Sequence, residues 1–335
     1  MLAHPETKLY IHYFSGTGNT FHASNCLARA LEKLGYDVTV INIEKTESAP
    51  AIIEGTLHIF AFPLYGFGMP ALFLKYIKSL SRINRCKAAL LSIGGHTGKT
   101  GGYEGQALSH GARVLRRKGF RVMFTEMVSY PENWTQLFNP PEEKLQDDIV
   151  TEADIEMERI AHQIADGHVS YRRTGFAGFL LTKLIYWIFS LLGRRILGLV
   201  FIADKKCNSC GKCARICPVV NIKMKRGKPV WGLRCEACQR CMNACPTKSI
   251  QTSILRLSIQ IVVLFIPFLW LKLLKGYVPI NYLTGTAIYV ASYLFLILAA
   301  NQFIGLLERN PAFRKLSSYS FTARYRRYLS KDAKF

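Results

Sequence analysis

The stretch that decides the fold reads Leu9-Tyr10-Ile11-His12-Tyr13-Phe14, then Ser15-Gly16-Thr17-Gly18-Asn19-Thr20, then a helical pattern over residues 21–34. A short apolar run, a glycine-bearing polar loop and an amphipathic segment make strand, loop and helix. The glycines permit close backbone approach. The Ser and Thr hydroxyls, with amides at the next helix's N-terminus, can donate to a phosphate. The loop holds no Lys, so it is not the GxxxxGK[ST] loop of nucleotide hydrolases. Neutral donors suit the phosphate monoester of a tightly kept cofactor; an ordinary Ser/Gly-rich turn is the alternative.

Outward from this loop, buried strands are predicted at 38–43, 57–62, 88–93 and 121–128, completing a set of five, with helices near 71–80, 103–118 and 142–166. The alternation predicts an α/β domain over residues 1–168, built on a doubly wound parallel sheet. Ligands in such sheets bind beyond the carboxyl ends of the strands. Chemistry is therefore expected at the 15–20 loop, which follows the first strand.

SGTGNT after the first strand resembles the phosphate loop of the flavodoxins, and the resemblance extends over residues 8–166. It implies a flavodoxin-like fold with FMN held by Ser15, Gly16, Thr17, Gly18, Asn19 and Thr20, Thr17 and Thr20 anchoring the phosphate. The family's two loops flanking the isoalloxazine follow the third and fourth strands and correspond here to Pro63-Leu64-Tyr65-Gly66 and to Gly94-Gly95-His96 through Gly102-Tyr103, which implies Pro63, Tyr65, Gly66, Gly94, Gly95 and Tyr103 as flavin contacts. Tyr65, directly after the third strand, is the better stacking candidate, since Tyr103 can equally begin the next helix. After the fifth strand, Trp134 either covers the site or packs in the domain. His96 reads as a surface-loop histidine, with proton donation to reduced flavin as the alternative.

The 335 residues suit two or three domains, and 50% hydrophobic with 20% charged residues excludes a mostly disordered chain. The net charge of +22 is unevenly placed: residues 1–168 carry 17 basic and 18 acidic side chains, and the rest carry 27 and 4. Such a cationic half suits an anionic membrane surface or nucleic acid. Its basic residues interleave with apolar stretches rather than with a nucleic-acid module, so lipid is the expected partner and nucleic acid is not.

Eight of ten cysteines crowd between Cys207 and Cys245. The N-terminus shows no secretory signal pattern, which favours a reducing cytoplasm and metal over disulfides. Cys26 and Cys86 stand apart and read as buried small hydrophobes. The crowd spells C-x2-C-x2-C-x3-C-P twice, at Cys207, Cys210, Cys213 and Cys217 and at Cys235, Cys238, Cys241 and Cys245. A cubane cluster takes three closely spaced thiolates from one motif and the fourth from the other. One [4Fe-4S] cluster is then expected on Cys207, Cys210, Cys213 and Cys245, and a second on Cys235, Cys238, Cys241 and Cys217. Zinc would need isolated sets of four with different spacing. Residues 204–252 closely resemble a bacterial two-cluster ferredoxin, an α+β domain, but carry eleven basic residues against Asp204 and Glu236. That surface favours an acidic protein or anionic lipid.

Residues 175–193 are almost wholly apolar, bracketed by Arg172-Arg173 and Arg194-Arg195. Their length would permit a span, but spanning once would place flavin and clusters on opposite sides of a membrane, so residues 169–203 read as an apolar linker with an interfacial or core-packed helix. Residues 257–271 and 282–300 read as a membrane hairpin within 253–308, followed by a basic tail at 309–335 that the positive-inside rule keeps cytoplasmic. A re-entrant hairpin in one leaflet is the alternative. The combination resembles the flavodoxin-ferredoxin fusion proteins of anaerobic bacteria and archaea, the EFR-family ferredoxins, with the hairpin as an addition. That resemblance implies electron transfer between FMN and two [4Fe-4S] clusters, to or from an acidic or membrane-bound redox partner such as a lipid-modifying reductase. An FMN enzyme reducing a quinone or another small molecule is the second reading, and an adaptor with structural clusters a third.

Overall fold

Apolar alternation at residues 8–13 places Leu9, Ile11 and Tyr13 on one face of strand β1 (Lys8–Tyr13), and the sheet grows on both sides of it. In this computed structural model, which describes residues 8–46, 55–83, 86–97, 103–172, 175–274 and 281–335, β1 lies between β2 (Asp37–Asn42) and β3 (Leu57–Pro63). β4 (Lys87–His96) and β5 (Arg121–Pro131) follow, all parallel, in the order β2-β1-β3-β4-β5. This is the flavodoxin-like strand order. A two-residue β6 (Ser170–Tyr171) extends the sheet past β5 and is too short for periodicity to reveal.

Helices α1 (Asn19–Lys33) and α4 (Glu143–Ala165) cover one face, where Ile59 and Ala61 join Leu27, Leu31 and Ile160. Helices α2 (Ala71–Ser79) and α3 (Ala107–Arg117) cover the other, where Phe60 and Phe62 meet Phe73, Ile77 and Leu115. On that second face a buried polar pair interrupts the apolar core. His12 Nε2 lies 2.9 Å from His58 Nδ1, and the outer nitrogens reach the hydroxyls of Tyr76 (2.7 Å) and Thr56 (2.8 Å). Burial pushes His12 down to about 3 and His58 down to about 4, so both are neutral at pH 7. Cys26 and Cys86 are buried in the two cores.

An apolar helix then runs over Phe176–Leu199, made of α5 (Phe176–Ile188), a π-helical turn (Phe189–Gly193) and α6 (Arg194–Leu199). Next, β7 (Phe201–Ala203) pairs antiparallel with β10 (Ile250–Thr252), enclosing two short helices, α7 (Lys212–Arg215) and α8 (Arg240–Asn243), and the hairpin β8 (Ile222–Lys225) and β9 (Lys228–Trp231). Arg226 and Gly227, both at positive φ, turn that hairpin as its twist requires.

Helices α9 (Ile254–Leu274) and α10 (Tyr282–Leu307) pack through Val263, Tyr293 and Ile297. Arg256 at their base is bound to Glu308 (2.6 Å), Asn301 and the Leu199 carbonyl. These two helices and Phe176–Leu199 are each long and apolar enough to cross a membrane. The turn at 275–280 lies outside the described residues, as do Gly102 and Arg173.

Three sequence expectations are modified. β4 runs to His96 because β5 continues opposite it, pairing Gly94 with Ser129 and His96 with Pro131. Gly94, Gly95 and His96 therefore end a strand instead of opening a loop. α3 begins at Ala107, which leaves Tyr103 in the preceding loop. Residues after Arg309, expected only as a basic tail, carry structure of their own: α11 (Pro311–Ser317) is capped by Asn310, a 3-10 turn (Phe321–Arg324) follows, and the remaining chain returns to the sheet.

Candidate functional site at the sheet edge and the cysteine cavities

The 15–20 loop joins β1 to the N-terminus of α1, at the point where strand order reverses. Gly18 has φ 107°, a conformation that disfavours any side chain. A Cβ at Gly16 would overlap the Tyr65 hydroxyl and come 2.7 Å from the Cys238 carbonyl oxygen. Ser15 Oγ accepts from the Gly18 amide (3.1 Å), and Thr17 Oγ1 accepts from Asn133 Nδ2 (2.6 Å). Thr20 Oγ1 is buried and has no protein partner. A buried hydroxyl without a protein partner at a helix N-terminus fits an anionic group such as a phosphate.

This loop closes one end of a cavity with an empty volume of about 960 Å³. The structure brings Ser15, Gly16, Thr17, Asn19 and Thr20 together with Pro63, Tyr65, Gly66, Gly94, Gly95 and Tyr103 around it; Gly18 lies behind the loop. Trp134 lines the cavity and also packs edge-on against Phe189. Tyr65 meets Phe14 edge-on, and burial holds its phenol well above the ordinary value, hence neutral. His96 lies at the end of β4, its carbonyl accepting from the Glu132 amide (3.0 Å). The Glu132 carboxylate accepts from the amides of Asn133 (2.8 Å) and Trp134 (2.7 Å), shaping the third wall.

Sequence reasoning missed Phe67, Phe189, Ala237 and Gln239. Phe67, with φ 64°, sits between two glycines, which was the only signal available. Phe189 arrives on the apolar helix, which docks through Tyr186, whose hydroxyl donates to the Met69 carbonyl (2.8 Å). Ala237 and Gln239 come from the second cysteine motif.

Two further cavities lie inside the cysteine-bearing segment. One, with about 310 Å³ of empty volume, is bordered by Cys207, Cys210, Cys213 and Cys245; the other, with about 340 Å³, by Cys217, Cys235, Cys238 and Cys241. Each motif thus sends its fourth cysteine to its neighbour's cavity. Among the described residues, no three His, Cys, Asp or Glu side chains converge as they would on a single metal ion. Burial pushes Cys213 up to about 11 and Cys235 and Cys238 up to about 12. Burial raises Cys245 too, but hydrogen bonds with Ser249 and Thr247 outweigh it and leave that thiol below its ordinary value. Thiols held neutral by burial need a cation to become ligands.

The second motif is docked on the sheet edge by Arg240. Its guanidinium donates to the carbonyls of Ser15 (2.6 Å), Gly16 (3.0 Å) and Ile216 (2.9 Å), and to both oxygens of Glu44 (2.5 and 2.7 Å). Burial opposes its charge, but Glu44 outweighs burial, so it stays protonated. Gln239 Nε2 donates to Gln136 Oε1 (3.1 Å), Thr135 donates to Asn243 (2.7 Å), and Arg194 pairs with Glu236 (2.9 Å). The large cavity and the second cysteine cavity consequently share residue Gln239.

Neither a protein-family model nor a curated protein sequence matches this chain. Among solved structures it is similar to oxidised flavodoxin 1 of Bacillus cereus, at 20% identity and TM-score 0.36 over 49% of this chain and 100% of that one. The flavodoxin of Streptococcus pneumonia gives 19% and 0.35 over 48% and 99%. An azoreductase of Bacillus anthracis gives 15% and 0.33 over 47% and 99%.

Proposed function

We propose that the chain is a membrane-anchored iron–sulfur flavoprotein that carries electrons between FMN and two [4Fe-4S] clusters. The observation that carries this reading is the shared wall: Gln239, between two cysteines of the second motif, lines both the cavity closed by the SGTGNT loop and the cavity of Cys217, Cys235, Cys238 and Cys241. Thr20, Thr17 and the α1 amides would hold the FMN phosphate, with Tyr65, Tyr103 and Trp134 as ring walls. The cysteines of each cavity would hold one cluster. Thiolates on a cubane stand apart on its corners, as cysteines bordering a cavity do. FMN, when bound, takes two electrons together and releases them singly, matching clusters that pass one at a time.

The first motif is the outer end of this line, with Cys210 exposed among exposed Lys205, Lys206, Lys212, Arg215, Lys223, Lys225 and Arg226. An acidic redox protein suits that surface. Helices α9 and α10 form the anchor. Phe176–Leu199 has Thr182 and Tyr186 buried toward the α/β domain and Phe176, Leu180, Leu181, Leu184 and Trp187 exposed, which supports an interfacial position on lipid. The redox domains and the chain after Arg309 face the cytoplasm. In the second reading, FMN reduces a quinone directly; Phe189, on this helix, lines the flavin cavity and favours an apolar substrate.

The test is anaerobic electron transfer in purified protein. Prereduced clusters should reduce the flavin within one molecule, at a rate independent of protein concentration. A rate that scales with concentration would reject the relay. Turnover of a quinone by the protein alone would select the second reading.

A further inference from the structure

The phosphate loop has an outer face as well as an inner one, and the last described residues cover it. The Ser330 amide donates to the Thr17 carbonyl (3.0 Å). Tyr328, 4% exposed, donates its hydroxyl to Asn19 Oδ1 (2.7 Å), while Asn19 Nδ2 donates to the Pro131 carbonyl (3.0 Å). A Cβ at Gly18 would lie 2.7 Å from Ser330 Cβ and 2.8 Å from Ala333 Cβ, so this glycine is needed for the tail as much as for its φ.

The same segment is tied to the second cysteine motif and to the sheet. The Tyr328 amide donates to Asn243 Oδ1 (3.0 Å), whose Nδ2 donates to the Asn133 carbonyl (3.1 Å), and Asn133 in turn holds Thr17. His22 stands between Asp332 (2.7 Å) and Asp154 (2.9 Å), and Lys331 pairs with Asp147 (2.7 Å). Phe335 lies over the Arg240 guanidinium at 4.5 Å. A hydrogen-bonded circuit thereby runs from loop to β5 exit, to cysteine motif, to tail, and back to the loop.

We infer that residues 325–335 are a clasp, in which Tyr328 and Ser330 are positioning residues that fix the phosphate loop for FMN. The inference rests on the FMN reading above. Occupying the Thr17 carbonyl and the Asn19 side-chain oxygen from outside holds the loop in one conformation. The inward groups, Thr20 Oγ1 among them, are thereby preorganised for the phosphate, and binding is favoured because less ordering remains to be done. The clasp also makes FMN retention depend on docking of the second motif, since Asn243 holds both partners.

The test is FMN titration of the flavin-stripped full chain, read by quenching of FMN fluorescence, with cluster absorbance and thermal midpoint followed in parallel. Tyr328→Phe removes only the hydroxyl that reaches Asn19 and should weaken FMN binding about 2- to 12-fold, the range of one net hydrogen bond. Placed on Asn19→Ala, the same change should have no further effect, because its partner is already gone. A merely structural tyrosine would instead move the thermal midpoint and cluster absorbance in both backgrounds. A chain ending at Arg324 should lose FMN more severely than Tyr328→Phe. Wild-type affinity in Tyr328→Phe would overturn the inference, whether or not the shortened chain folds. Absence of quenching in the wild type would remove the FMN reading itself, and the clasp with it.

Discussion

In the first cysteine motif Cys210 and Lys212 are exposed, whereas in the second the equivalent Cys238 is half-buried and Arg240, at the position equivalent to Lys212, is 4% exposed. The local backbone is the same in both. Ser209, Gly211 and Val220 have φ of 62°, 70° and 50°, and their counterparts Ala237, Gln239 and Lys248 have 55°, 59° and 50°. Spacing therefore dictates the turn around each cavity, and it does so even against the left-handed strain at non-glycine residues. What separates the copies is the contact each makes. The first keeps its cations in water; the second uses its arginine to hold a domain.

The comparison breaks most visibly at the crossed cysteines. Cys217 belongs to the first motif by sequence and to the second cavity by position. Cys217→Ala should abolish the paramagnetic signal of the cluster next to the flavin and spare the outer one. Loss of the outer signal alone would reject the crossed arrangement.

Next in size is the equivalent pair of cations. Arg240→Met strands Glu44 and three carbonyls at a buried interface and should destabilise by about 3–5 kcal/mol, with FMN released. Lys212→Met should change stability by no more than about 0.5 kcal/mol. Denaturant unfolding followed by flavin fluorescence measures both, and similar losses would erase the distinction drawn between the motifs.

Acid provides a milder probe, acting on the sheet that Arg240 of the second motif is docked against. His12 and His58 are held neutral in the fold, at about 3 and about 4, against an ordinary value near 6.5. The unfolded chain therefore binds more protons below pH 6.5. The stability contributed by their neutral forms is full above that pH and is lost as pH falls through 6.5 toward 4. Thermal midpoints measured from pH 7.5 to 5 should decline below 6.5, and replacing both histidines by Gln should flatten that decline. An equal decline in the double variant would exclude the pair as its source.

Much of this was legible in the sequence, for physical reasons that also explain what was not. The strand, loop and helix at 9–34 announce themselves because burial on two faces demands apolar runs and the tight loop between them demands glycine at Gly18, where φ is 107°. The cysteine motifs announce themselves because ligand spacing is local. Phe189, Ala237 and Gln239 carry no such signature, since each enters the large cavity only through docking of one segment on another. The tail shows the same limit. Composition reads residues 309–335 as a basic tail, and most of its cations are exposed, yet the Arg326 guanidinium bonds the Pro140 carbonyl (2.9 Å), Arg327 bonds Gln251 (3.0 Å), and Ser330 is 8% exposed. Composition gives a charge; it does not say whether a carbonyl waits to receive it.

In the proposed relay both cysteine cavities hold the same kind of centre, and a flavin lies beside one of them. Elemental and flavin analysis of the anaerobically purified full chain tests this most directly. About eight irons, an equal amount of acid-labile sulfide and one FMN per chain are the predicted result. Zinc in place of iron, about four irons, or full iron with no flavin would contradict the account.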